Sequence, residues 1–201
     1  MDTPTEPPPE AMLAALTGPI AAYRQALDDG VSFADTTMHG LPPCPWTWAQ
    51  LTRYWAAVGM DRSSIGKPWT VTKMPNNGLE VRLNGWTFRP LKTIDAGPPS
   101  PGLSRTRRGY YSQFIQESLF SLESGGLNLL LDWSLDKNRT PVLALSKPSA
   151  PWKYKAQPRL EWRRIVTFPE DGGPTFAPKD SQEDIDILPV IDEAEFGSED
   201  S

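Results

Sequence analysis

The sequence predicts an α+β fold with a mostly antiparallel sheet, and three observations carry that prediction. Apolar residues recur at helical spacings through the first third of the chain. From Trp69 onward the alternation has period two, and Asn84-Gly85 sits between two alternating runs as a hairpin turn would. The expectation is about six strands in two hairpin-containing halves, with helices at the N-terminus, one helix between the halves and a disordered acidic C-terminal tail.

Residues 1–9 read as a disordered proline-rich arm, and 10–61 as a helical segment. In "EAMLAALTGPIAAYRQAL", Met12, Leu13, Leu16, Ile20, Tyr23 and Leu27 share a helical face. Gly18-Pro19 predicts a kink or two short helices, and Gly30 a stop. "WTWAQLTRYWAAVG" predicts a second helix with Trp48, Leu51, Trp55 and Val58 on one face and Gly59 closing it. Aromatic density of this kind predicts packing of that helix on the sheet.

Residues 62–168 read as a basic, Trp-rich body. "PWTVTK" alternates; Leu79, Val81 and Leu83 then share a face, Asn84-Gly85 makes a type I′ turn, and Trp86 and Phe88 begin the return. Pro90 places the return strand at an edge. Residues 95–104, rich in Pro, Gly and Ser, form a loop, and 105–126 a helix ending at Gly125-Gly126. Leu127, Leu129, Leu131, Trp133 and Leu135 alternate with Asn128, Asp132, Ser134 and Asp136; "DKNR" turns the chain and "PVLALSK" returns it. "LEWRRIVTF" is the last strand, and 169–201 is the tail.

Composition excludes several classes of chemistry. Cys44 and His39 are the only residues of their types, so neither a disulfide framework nor a Cys/His zinc site is expected, and no cofactor is implied. Their five-residue separation matches no nucleophile–base geometry. No GxGxxG or GxxxxGK[ST] phosphate loop occurs. The acidic, proline-rich start is unlike a secretory signal and no apolar run is long enough to span a bilayer, so a soluble intracellular protein, cytoplasmic or nuclear, is expected.

Charge is distributed unevenly. Residues 1–61 hold two basic and seven acidic side chains, 62–168 hold 17 and 7, and 169–201 hold one and 11, giving −5, +10 and −10. A positive centre flanked by negative ends predicts an anionic partner, either nucleic acid or an acidic protein surface. The expected contact residues are Arg105, Arg107, Arg108 and Tyr110, then Trp152, Lys153, Lys155, Arg159, Arg163 and Arg164, in which cations sit beside flat aromatic rings. The function expected is that of a non-enzymatic adaptor, with single-stranded nucleic-acid binding as an alternative. In the tail, Ile185, Ile187, Leu188, Val190 and Ile191 lie among acids. They suit either docking on a partner or covering the chain's own basic body.

A metal-dependent enzyme is the remaining alternative. Asp132, Asp136, Glu161 and Lys147 would converge if the second hairpin pairs with the last strand. That set loosely resembles the acid-acid-lysine arrangement of restriction-type nucleases. It departs where Leu145 stands two residues before Lys147 in place of an acid.

Overall fold

In the computed structural model, residues 9–93, 97–100, 105–111, 127–148, 158–168 and 175–178 are described. Two helices lead: α1 (Pro9–Met38) and α2 (Pro45–Ser63). The six apolar residues expected on one face of α1, from Met12 to Leu27, are all buried. The break expected at Gly18-Pro19 does not occur, because α1 runs through Pro19 without interruption. A proline inside a helix costs about 3 kcal/mol or more through its missing N–H. Burial of Leu16, Ile20 and Tyr23 around it offsets that cost, at roughly 1.5–3 kcal/mol for each large apolar side chain. Gly18 serves packing instead, since a Cβ there would stand 3.2 Å from the ring of Trp69.

Gly30 and Gly59 were expected to end their helices, and both lie inside them. They are where the two helices meet. A Cβ on Gly30 would fall 2.6 Å from the Thr52 carbonyl oxygen, and one on Gly59 would fall 2.8 Å from the Ala26 Cβ. With Ala49, Thr52, Ala56, Ala57 and Met60 as its buried residues, α2 packs on α1 through small side chains.

Among the described residues seven strands form one sheet in sequential order: β1 (Thr70–Met74), β2 (Gly78–Leu83), β3 (Trp86–Lys92), β4 (Leu127–Leu135), β5 (Pro141–Pro148), β6 (Leu160–Thr167) and β7 (Thr175–Pro178). The seventh lies inside 169–201, the stretch expected to be all tail. It extends the meander by pairing antiparallel with β6. Asn84 and Gly85 both have positive φ, as the type I′ turn requires. All neighbours are antiparallel except β3 and β4, which run parallel from Trp86↔Leu127 to Lys92↔Trp133. A parallel pair needs a long crossover, and residues 93–126, which include the short helix α3 (Arg105–Tyr111), supply it. The part of the expected helix from 112 to 126 lies outside the described residues.

Pro90 does not mark an edge strand, since β3 is interior. Pairing with β2 ends at Val81↔Phe88, however, so Pro90 has a ladder neighbour on the β4 side only. The missing N–H therefore costs no β2 bond. One face of the sheet carries Leu79, Val81, Leu83, Phe88, Leu129, Leu131, Trp133, Leu143, Leu145 and Val166. These join the buried side of α1 and Ala56, Ala57 and Met60 of α2 in a single core. Among the described residues no helix is long and apolar enough to cross a membrane.

Candidate functional site

The face of the sheet turned away from α1 and α2 is mixed: Leu130 is buried there with Tyr110 and Tyr111 of α3, and charged side chains beside them pair with one another. Glu80, 4% exposed, accepts from Arg82 Nε and from Arg89 Nε and Nη2. Burial disfavours the Glu80 carboxylate, but the two arginines outweigh it and hold its pKa below the usual range. The Arg89 guanidinium stacks 4.0 Å over the ring of Tyr110. Tyr110 lies on α3, and its hydroxyl reaches the carbonyls of Leu129 and Thr87 at 2.7 and 2.9 Å. Burial pushes that phenol's pKa up.

Two strands further on, Asp132 is 1% exposed and accepts from Arg163 Nη2 and from the Thr93 hydroxyl. Burial is the larger influence there and raises the Asp132 pKa despite Arg163. The second oxygen of Asp132, the Ser146 hydroxyl and Arg163 Nε are buried without a hydrogen-bond partner. Lys147 pairs with Glu161 at 3.0 Å. Asp136 caps the β4–β5 turn, accepting from the Asn138 and Thr140 backbone N–H groups. The four residues of the nuclease-like set thus serve three different structures: a buried ion pair, a half-exposed ion pair and a turn. Among the described residues no three His, Cys, Asp or Glu side chains gather closely enough to hold a metal.

Of the expected contact residues, Tyr110 is buried, and Arg163, 14% exposed, is spent on Asp132. Arg108 and Arg164 are half-buried, and Arg159 is exposed. Arg105 and Arg107 lie on α3, with side chains outside the described set. Trp152, Lys153 and Lys155 lie outside the described residues, as do the tail positions Ile185, Ile187, Leu188, Val190 and Ile191. Part of the positive centre is therefore met from within where it is described. Arg82 and Arg89 meet Glu80, Arg163 meets Asp132, Lys147 meets Glu161, Lys73 meets Asp61, and Arg139 meets Asp35.

A second surface, which the sequence reading assigned to packing, is open. Among the described residues the exposed large apolar side chains are Leu41, Trp46, Tyr54 and Ile65, at 57, 60, 51 and 80%. All four fall on α2 or the loops at its two ends. Leu51, Tyr54 and Val58, spaced i, i+3 and i+7, run along the side of α2 opposite its buried residues, with Arg62 next in the row. Trp48, Leu51, Trp55 and Val58, expected to pack on the sheet, are only half-buried. Two of them are fixed by specific partners. Trp55 stacks on Phe33 of α1 with centroids 4.3 Å apart. Trp48 donates to Asp35 at 2.7 Å and lies under Arg139, which also holds Asp35. This clamp ties α1, α2 and the β4–β5 turn together and presents the aromatic side of α2 as a rigid surface.

Charge on this surface is one-sided. Residues 45–74 carry Arg53, Arg62, Lys67 and Lys73 against the single acid Asp61. Asp61 is taken by Lys73 at 2.7 Å, while Arg62 and Lys67 are exposed and make no ion pair among the described residues. The signal in the sequence was that α2 carries small residues (Ala49, Ala56, Ala57) on one side and larger apolar ones (Leu51, Tyr54, Val58) on another. Compared with family models, curated proteins and solved structures, the chain matches none.

Proposed function

We propose that this protein is a non-enzymatic binding module whose aromatic α2 surface engages an apolar, acidic surface on a protein partner. The observation that carries this reading is that, among the described residues, the exposed large apolar side chains are confined to residues 41–65, beside the cations Arg62 and Lys67, which make no ion pair there. Trp, Tyr and Arg are the residue types that dominate binding energy when a partner excludes water from them. Rigid presentation keeps the entropy cost of ordering these side chains low. The paired arginines and lysines of the sheet favour this surface over a phosphate-tracking strip, which needs cations free to displace counterions.

The test is affinity capture with the intact chain from a cognate extract, in parallel with a Trp46→Ser/Tyr54→Ser variant, reading protein and nucleic acid separately. Both substituted side chains are exposed, so fold and stability stay close to native. The expected result is a protein captured by the native chain and reduced at least roughly tenfold on the variant, as loss of one good hot spot implies. Capture unaffected by the substitutions would overturn the reading. So would recovery of nucleic acid alone, with the steep salt dependence of phosphate contacts.

A further inference from the structure

The chain holds two Asn-Gly steps, Asn77-Gly78 at the β1–β2 turn and Asn84-Gly85 at the β2–β3 turn. At such a step the asparagine side chain reaches the backbone nitrogen of its neighbour, because glycine has no Cβ to block the approach. Both asparagines are exposed, and both have positive φ, 56° at Asn77 and 48° at Asn84. What separates them is how the two reacting groups are held.

Asn77 is restrained at both ends. Its side-chain amide donates to Gln50 Oε1 at 3.4 Å, and the Gly78 N–H donates to the Pro75 carbonyl at 3.2 Å. Gly78 is also the first residue of β2, opposite Met74 in the ladder. It sits in a crowded place, where a Cβ would stand 3.2 Å from both the Met74 Cβ and the Pro75 oxygen.

Asn84 has neither restraint. In a two-residue type I′ loop the ladder closes between the flanking residues, here Leu83 and Trp86, which leaves the Gly85 N–H outside it. Among the described residues neither that N–H nor the Asn84 side chain has a hydrogen-bond partner. Apart from its chain neighbours, no atom stands within 4 Å of where a Cβ on Gly85 would sit.

We propose that Asn84 is a site of spontaneous covalent modification, and that the fold directs the reaction there and away from Asn77. The Gly85 backbone nitrogen attacks the Asn84 side-chain carbonyl carbon. A new C–N bond closes a cyclic imide, and the side-chain nitrogen leaves as ammonia, carrying the proton that Gly85 gives up. Water then opens the ring at either carbonyl, yielding aspartate or isoaspartate. No electrons are gained or lost. The isoaspartyl product has an extra carbon in the backbone of the turn. A two-residue loop fixes the register of the strands it joins, so a lengthened one strains the β2–β3 pairing. Leu83 and Phe88 of that pair are core residues, and the strain therefore reaches the core. The site is separate from the α2 surface proposed above.

Timed incubation of the intact chain at mildly alkaline pH tests this, with peptide mass mapping to follow each step and the same chain in concentrated urea as reference. In urea the two steps should convert at similar rates. In the folded chain Asn84 should convert at least roughly fivefold faster than Asn77, the factor that one hydrogen bond to be broken implies. The isoaspartyl form, once purified, should unfold at lower urea than an Asn84→Asp variant. Asn77 converting as fast as Asn84 in the folded chain overturns the proposal. So does an Asn84 that stays intact in the folded chain while it converts in urea. Equal urea midpoints for the isoaspartyl form and Asn84→Asp would overturn the effect assigned to the hairpin.

Discussion

Glu80 and Asp132 are two buried acids on one face of the sheet, and their acid responses have opposite signs. Glu80 has a folded-state pKa below its ordinary value of 4.5. As pH falls from neutrality the unfolded chain takes up that proton first, so the stability Glu80 contributes above about 4.5 is lost as pH passes down through the folded pKa. Asp132 has a folded-state pKa raised above 3.8, so the folded chain binds the proton first and stability gains as pH falls through that window. Urea unfolding between about pH 3 and pH 6 should therefore show Glu80→Gln weakening the acid-side loss of stability. An unchanged profile in that variant would place the acid sensitivity elsewhere.

The Asp132–Arg163 pair supports a prediction of its own. Arg163→Met leaves a buried carboxylate without its cation and should cost roughly 3–5 kcal/mol. Removing both charges with Asp132→Leu/Arg163→Met should recover most of that loss, because desolvation of the pair then disappears too. A double-mutant cycle by urea denaturation reads the difference. Additive losses would show that the two side chains do not act as a pair. None of this pairing was legible in the sequence. "LEWRR" and "LLLDW" announce strands, but only the registers Leu130↔Ser146 and Ser146↔Arg163 bring the arginine to the aspartate across β5.

Elements were read well where period alone decides them. The first hairpin, its Asn84-Gly85 turn and the β4–β5 pair follow from alternation and turn chemistry. Glycines were misread because a lone glycine in a helical stretch signals either an end or a close approach, and only the neighbour decides. Gly30 and Gly59 are close approaches. Gly30→Ala gains helix propensity of up to about 1 kcal/mol. It also drives a Cβ to 2.6 Å from the backbone oxygen of Thr52, so α2 must shift. The net expectation is a loss of about 1–3 kcal/mol, measured by thermal or urea unfolding. A stabilised variant would mean that the helix pair adjusts freely. The aromatic second helix was misread for a related reason. Its spacing shows that one side is apolar, but small residues such as Ala49, Ala56 and Ala57 took the contact with α1 and left the larger stripe half-open.

At the scale of the whole molecule, charge counted along the chain and charge presented in space differ. The central +10 is an arithmetic fact. Where the structure is described, part of it is met by acids, some of them distant in sequence, such as Asp35 against Arg139 across 104 residues. The acids of the N-terminal third are thereby explained in part: Asp35 and Asp61 hold cations of the body. Among the described residues Arg62 and Lys67 make no ion pair, and the α2 surface they adjoin carries the proposed function. Partner binding should weaken only moderately with salt, since apolar burial supplies most of it and few cations take part.

Amide hydrogen exchange on the intact chain, with and without its captured partner, tests that assignment most directly. The expected result is slowed exchange confined to residues 41–67, with β4, β5 and β6 unchanged. Protection appearing instead across β4–β6, with 41–67 exchanging as in the free chain, would move the binding surface to the polar side of the sheet and contradict the account.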